Sequence, residues 1–277
     1  MKFHNRTRRS ESIPKKLLWG KKYHLLPIYY LLLTSKLAKE GIINGGSYEF
    51  ADHIYRGKAE GRFFIGTILD WVLLRLRSTQ AFRFRYVSCK NEIMKTIEEN
   101  NTNNNPLHIL SVPSGYAREF FEIASYLKTK RHIKYSHITW HVMDLDKNLL
   151  LHLKNNINQD GHDIKGWHAD ALDSKIYKKI GKFDLVISTG FVDFLMDYQV
   201  VHFYKLVRKV LNKKGRFVTS GMEKHKLSDY LLKNIAELHT SYRNKNRLIK
   251  LAKEAGFKTI NTYQDPKKIL TMLIAEK

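Results

Sequence analysis

Apolar residues follow two unlike rhythms along this chain, and the change comes at a polar run from Glu98 to Pro106. Upstream, Ile65, Leu69, Val72, Leu73 and Leu76 recur at i, i+4, i+7, i+8 and i+11, one face of a helix that needs a partner surface, with Arg75 and Arg77 away from it. Gly41, Gly45, Gly46, Gly57, Gly61 and Gly66 punctuate the stretch ahead of and into that helix, so residues 41–62 are expected to be loop-rich. Leu25–Leu33 is a short apolar run interrupted by Pro27, well below the roughly 20 residues that span a bilayer.

Downstream, short β-branched runs alternate with helical spacing. His108–Val112, Ile138–Met143 and Phe183–Ser188 read as buried strands, each followed by a helical stretch. Phe120, Ile123, Ala124 and Leu127 mark one helix face; Val200, Phe203, Tyr204, Val207, Val210 and Leu211 mark another. Gly215 is expected to stop the second helix and Arg216–Ser220 to form the next strand. Phe257–Tyr263 and Ile269–Ala275 flank a turn at Asp265-Pro266 with no room for a helix, so they should pair antiparallel. The whole predicts an α/β fold: a doubly wound, mostly parallel sheet with a C-terminal antiparallel hairpin, behind an N-terminal helical region. We divide it into a basic segment (1–22), a helical cap or lid region (23–99) and a catalytic domain (106–277).

Composition changes the picture in two places. The lone Cys89 excludes an intramolecular disulfide and any Cys-based metal cluster, which fits a reducing compartment and a cytoplasmic location. A formal net charge of +23 attracts polyanions, either nucleic acid or the anionic inner face of a membrane, where the protein would sit peripherally. Against this, Lys and Asn are abundant throughout, including the run Asn100–Asn105, as in a general compositional bias. The most basic stretch, Met1 to Lys22, lacks the apolar core of a signal peptide; leading into Leu and Tyr, it can touch an anionic membrane or pack as a helix on the catalytic domain. The 13 histidines form no helical His-x-x-x-His pair and no His-Glu-x-x-His motif, and no metal is expected.

Ligands of open parallel sheets bind beyond the carboxyl ends of the strands. After the first strand comes Ser111-Val112-Pro113-Ser114-Gly115-Tyr116-Ala117-Arg118, where Gly115 lets the backbone approach a ligand closely. The second strand ends in Asp144-Leu145-Asp146; a carboxylate there can accept both hydroxyls of a ribose, while Asp146 suits the N-cap of the next helix. Asp170-Ala171 follows the third strand, with Asp173 suited to a turn, and Thr189-Gly190-Phe191-Val192-Asp193 follows the fourth.

These features in this order, with the terminal hairpin, resemble the class I S-adenosylmethionine-dependent methyltransferases. The resemblance implies a seven-stranded sheet and S-adenosyl-L-methionine as cofactor. It implies contacts from Ser111, Pro113, Ser114, Gly115 and Arg118, from Asp144 and Leu145 at the ribose, from Asp170 and Ala171 at the adenine, and from Thr189 and Gly190. The family's first turn is usually an acid followed by Gly-x-Gly-x-Gly; here Ser111 stands at the acidic position, Pro113 at the first glycine and Ala117 at the third. Gly190-Phe191-Val192-Asp193-Phe194-Leu195, with Ser220-Gly221-Met222 and Tyr242-Arg243, is similar to a bacterial subgroup named for hydroxypalmitic acid methyl ester biosynthesis. That likeness implies a small-molecule or lipid acceptor, such as a hydroxy fatty acid carboxylate.

Methyl transfer is an in-line displacement that rests on positioning and water exclusion. Arg243, beside Tyr242, is expected to hold an acceptor carboxylate, with Arg62, Arg83 and Arg85 as alternatives. For a hydroxyl or amine acceptor, Asp193 is the candidate base. Two other readings stay open: an RNA methyltransferase, suggested by charge although the Asn/Asp-Pro-Pro-Tyr/Phe type of motif is absent, and a non-catalytic binding module, suggested by Ser111 and Pro113.

Overall fold

The computed structural model describes residues 6–45, 47–100, 106–129, 137–159 and 164–277. Residues 1–5 of the basic segment, and the Asn-rich run after Asn100, lie outside them. Two compact units emerge, one of residues 1–83 with 224–240, the other of residues 84–223 with 241–277.

The second unit holds a seven-stranded sheet: β1 (Leu107–Ser111), β2 (Ile138–Asp144), β3 (Ile164–His168), β4 (Phe183–Ser188), β5 (Leu211–Met222), β6 (Thr259–Gln264) and β7 (Leu270–Glu276). Their order is β3-β2-β1-β4-β5-β7-β6. The first five are mutually parallel and β7 runs antiparallel to both its neighbours, as the alternation and the terminal hairpin predict. β1, β2 and β4 are buried over almost their whole length because helices cover both faces, hence their nearly unbroken apolar sequences. The predicted face of α7 (Arg118–Lys128) is buried, with the Phe120 ring 4.6 Å from that of Trp140. On α9 (Asp197–Val210), Phe203 and Tyr204 join Phe217 of β5 and Phe257 in a buried aromatic cluster. Between β6 and β7, Asp265 accepts from the amides of Lys267, Ile269 and Leu270, closing the turn.

One boundary differs from expectation. α9 stops at Val210, not Gly215, because Leu211 is already extended and pairs with Phe183; Gly215 lies inside β5, where a Cβ would come within 2.9 Å of the Phe183 carbonyl oxygen.

The first unit is helical: α1 (Arg6–Trp19), α2 (Leu25–Leu32), α3 (Lys36–Ile43), α4 (Tyr48–Arg56), α5 (Phe63–Leu73), the start of α6 (Arg77–Asn100) and, returning from the end of β5, α10 (Lys226–Ile235). Ile13, Leu17, Leu25, Tyr29, Ile42 and Ile235 form one core cluster, Leu37, Ile54 and Leu74 another. Two expectations fail here. The stretch expected to be loop-rich contains α4, started by Ser47, whose hydroxyl accepts from the Phe50 amide, and ended by Gly57 at φ 65°. The Ile65–Leu76 face does not bury itself. Instead α5 turns its Gly66 and Asp70 side inward: Asp70 accepts from the Ser35 hydroxyl and from the amides of Leu37 and Glu60, and Gly66 approaches Thr34 so closely that a Cβ would lie 2.2 Å from its carbonyl oxygen. In the sheet unit, α6 runs on through Glu98 and Glu99 to Asn100, so the polar run does not begin a loop there.

Candidate active site

The site is built at the carboxyl ends of β1, β2 and β4. Gly115, at φ 51°, turns the chain after β1 so that its amide donates to Asp144 Oδ2 at 3.1 Å, while Asp144 Oδ1 accepts from the Asp146 amide at 3.1 Å. The Ser114 amide donates to the Met143 carbonyl and the Ala169 amide to the Asp144 carbonyl, tying the first turn, the end of β2 and the end of β3 together. Asp144 is only half-buried, and its carboxylate offers about four acceptor sites, more than its amide donors fill. Burial raises its pKa, and the amides of Asp146, Gly115 and Leu145 oppose that.

The other predicted residues fall into place unequally. Asp146 Oδ1 accepts from Asn148 and Leu149 as the N-cap of α8 (Lys147–Gln159), and Asp173 accepts from Lys175 in a turn. Asp170 is exposed, with Oδ1 accepting from Leu172; Ala171 is buried, and its carbonyl accepts from Tyr177. Ser111 is buried at the end of β1, Pro113 is half-buried, and Ser114 is buried with its hydroxyl donating to the Gly115 carbonyl. Leu145 is exposed. Arg118 opens α7 within 3.7 Å of Glu122.

Arg243 is engaged with the protein itself. Its Nε donates to Asp197, Nη1 to the carbonyls of Val192 and Ser241, and Nη2 to the Leu195 carbonyl, with the side chain buried. It brackets the turn after β4 to the start of α9, and Tyr242 beside it is half-buried. Arg247 shares Asp197, and these two arginines hold that carboxyl below its usual range despite the opposing effect of burial. Arg62 and Arg83 belong to the helical unit, where Arg83 Nε donates to the Ile54 carbonyl.

Arg85, named with Arg62 and Arg83 as an alternative to Arg243, lies just past the end of β4. α6 enters the sheet unit at Phe84, and its Arg85 guanidinium lies against Gly190, whose φ is 82°; a Cβ there would sit 2.9 Å from Nη1. Around it are two acids and a thiol. Burial pushes the Asp193 carboxyl up to about 6 against the charges of Arg85 and Arg243. It pushes Glu119 up to about 7, again against Arg85, and the Cys89 thiol up to about 12. Asp193 Oδ1 and the Ser188 hydroxyl are buried without a hydrogen-bond partner among the described residues. Buried polar atoms are usually satisfied, so these two mark the end of β4 as a place where a polar ligand would complete the bonding. The sequence signal for Arg85 was a charge at an apolar position: Ala81, Arg85, Cys89, Ile93 and Ile97 repeat every fourth residue along α6, and all are buried.

Among the described residues no group of three or more His, Cys, Asp or Glu side chains could hold a metal ion. His141, on β2, is buried against His108 and accepts from Trp167 Nε1; burial, with the charges of His108 and Lys165, pulls it down to about 3.

A parallel sheet with a reversed seventh strand, and an acid at the end of β2 bonded to the turn after β1, define a Rossmann-like methyltransferase fold. The family model described as "Putative methyltransferase" matches residues 13–277, and the chain belongs to that methyltransferase family. No curated protein matches. Among solved structures, one described as a possible exported protein from Bordetella parapertussis is 16% identical, covering 98% of this chain and 95% of its own at a TM-score of 0.72. The CurJ carbon methyltransferase is 14% identical, covering 96% and 70% at 0.59. Magnesium protoporphyrin IX methyltransferase from Synechocystis PCC 6803, seen with bound SAH, is 11% identical, covering 86% and 96% at 0.54. At these identities what is shared is the fold, that of S-adenosylmethionine-dependent methyltransferases.

Proposed function

We propose that this protein transfers a methyl group from S-adenosyl-L-methionine to the carboxylate of a small-molecule or lipid acceptor, such as the hydroxy fatty acids for which the hydroxypalmitic acid methyl ester subgroup is named. The observation that carries the acceptor class is the Arg85 guanidinium seated against Gly190 beside the unpartnered, buried Asp193 Oδ1. A guanidinium fork suits a planar carboxylate, and at this depth the pair would be little screened.

The residues at the strand ends fit an adenosyl group. Asp144 keeps acceptor capacity for a ribose hydroxyl beyond its amide donors, Asp170 is exposed for an adenine amino group, and Gly115 keeps the first turn open. When bound, S-adenosylmethionine supplies a methyl activated on a sulfonium. A carboxylate acceptor would take that methyl on oxygen without losing a proton, so the chain need supply no base. Arg85 orients the acceptor, Gly190 keeps the backbone out of its way, and the Arg243 bracket fixes the turn that carries Asp193.

Two measurements test this. Asp144→Asn should weaken S-adenosylhomocysteine binding by roughly 10- to 100-fold in calorimetry, the value of losing charge-assisted hydrogen bonds. Arg85→Gln should leave that binding intact while raising KM for long-chain hydroxy acids. Equal turnover of those acids by wild type and Arg85→Gln, or turnover of RNA with none of the acids, would defeat the acceptor assignment.

A further inference from the structure

α5 is an amphipathic helix worn inside out. Its small and acidic side is bolted into the helical unit through Gly66 and Asp70, and its apolar side, with Phe63, Phe64, Ile65, Ile68, Trp71 and Val72, is exposed. The contrast is sharp: the Phe64 side chain is 81% exposed and Asp70 0%. Successive residues of a helix are turned by about 100°, so Phe64, Ile65, Ile68, Trp71 and Val72 share one uninterrupted arc of about a third of its circumference, with Phe63 leading into it. Phe63 even holds φ 54°, a conformation bulky side chains rarely adopt, with its ring in solvent. Apolar contiguity on this scale marks an interaction surface.

The charge on this helix selects the occupant. From Gly61 to Gln80 the sole acid is Asp70, which is buried, whereas Arg62, Arg75 and Arg77 are exposed. Arg75 stands within the apolar arc with its guanidinium carbon 3.7 Å from the centroid of the Trp71 ring. A second copy of this chain is a poor partner, because a two-fold contact would set Arg75 against its own counterpart with no acid nearby. An anionic bilayer answers both features: the phenylalanines enter the acyl boundary, Trp71 sits at the headgroup level, and the arginines meet lipid phosphates.

We propose that α5 docks this protein on an anionic lipid surface, with the helix axis in the membrane plane. The inference stands on the helical unit alone and is independent of the acceptor assigned above. Co-sedimentation of the full chain with vesicles of phosphatidylcholine mixed with phosphatidylglycerol, and of phosphatidylcholine alone, tests it. Binding is expected to the mixed vesicles, to weaken with salt, and to fall by roughly tenfold or more in Phe64→Ser/Ile68→Ser. Both sites are exposed, so the melting temperature should hold. Should that variant fail to fold, Arg75→Glu should lower binding to the mixed vesicles specifically. Unchanged binding in both variants, equal binding to neutral vesicles, or a wild-type dimer in sedimentation velocity that either variant dissociates would overturn the proposal.

Discussion

At the scale of single residues, the proposed chemistry turns on Asp193 and its neighbour Arg85. With the Asp193 carboxyl pushed up to about 6 by burial, the two candidate roles predict opposite pH profiles. As a general base, Asp193 must be ionised, and turnover should rise as pH passes upward through about 6. As the rival of an acceptor carboxylate for Arg85, it interferes only when ionised, so acceptor KM should increase across the same interval and the dependence should vanish in Asp193→Asn. Steady-state kinetics from pH 5 to 8 on a hydroxy acid separates the two; we expect the second profile. Gly190→Ala is a sharper probe of the same place. Its φ of 82° strains any side chain, and the new methyl would push on Nη1 of Arg85. A stability loss of about 1–3 kcal/mol in urea titration should accompany the loss of acceptor binding.

Among the elements, the bracket made by Arg243 is the most consequential. Arg243→Met takes away the guanidinium donor of the buried Leu195 carbonyl and leaves the Val192 carbonyl only the Leu195 amide, and it should cost roughly 2–4 kcal/mol of stability; Arg243→Lys should recover only part, because an ammonium cannot copy the fork. Arg243 also shows where reading a sequence runs out. Its place after the fifth strand was legible, as were six of the seven strands and the Asp144 and Gly115 positions, because each depends on local spacing and on the turn it follows; β3, polar and largely exposed, carried no such pattern. Which way a guanidinium points depends on backbone carbonyls some 50 residues away, and no periodicity records them. α5 failed for a related reason. Its apolar stripe was visible, but the Asp70 and Gly66 contacts that turn the stripe outward come from Ser35, Thr34, Leu37 and Glu60. α4, by contrast, was readable in hindsight: Ser47 and Gly57 are its ordinary caps, obscured by the neighbouring glycines.

For the molecule as a whole, stability should depend on pH through buried groups of opposite sign. His141 is held down to about 3, so between about 6.5 and 3 the unfolded chain binds more protons than the folded one, and the stabilisation present above 6.5 is lost as pH falls. Asp193 and Glu119, raised to about 6 and about 7, act oppositely: the folded state holds their protons longer, and what they contribute at low pH is lost as pH rises. The cost of His141→Gln should therefore shrink as pH is lowered from about 6.5 towards 3, measured as the difference in unfolding free energy from wild type. Strand order carries a different consequence. β7 follows every other strand in the chain, yet it sits inside the sheet, between β5 and β6, and is buried along nearly its whole length. During synthesis β6 emerges with no neighbour to hold it, and the helical unit waits likewise for α10. A chain cut short before Leu270 should be digested freely by proteases under conditions in which the chain through Glu276 is protected.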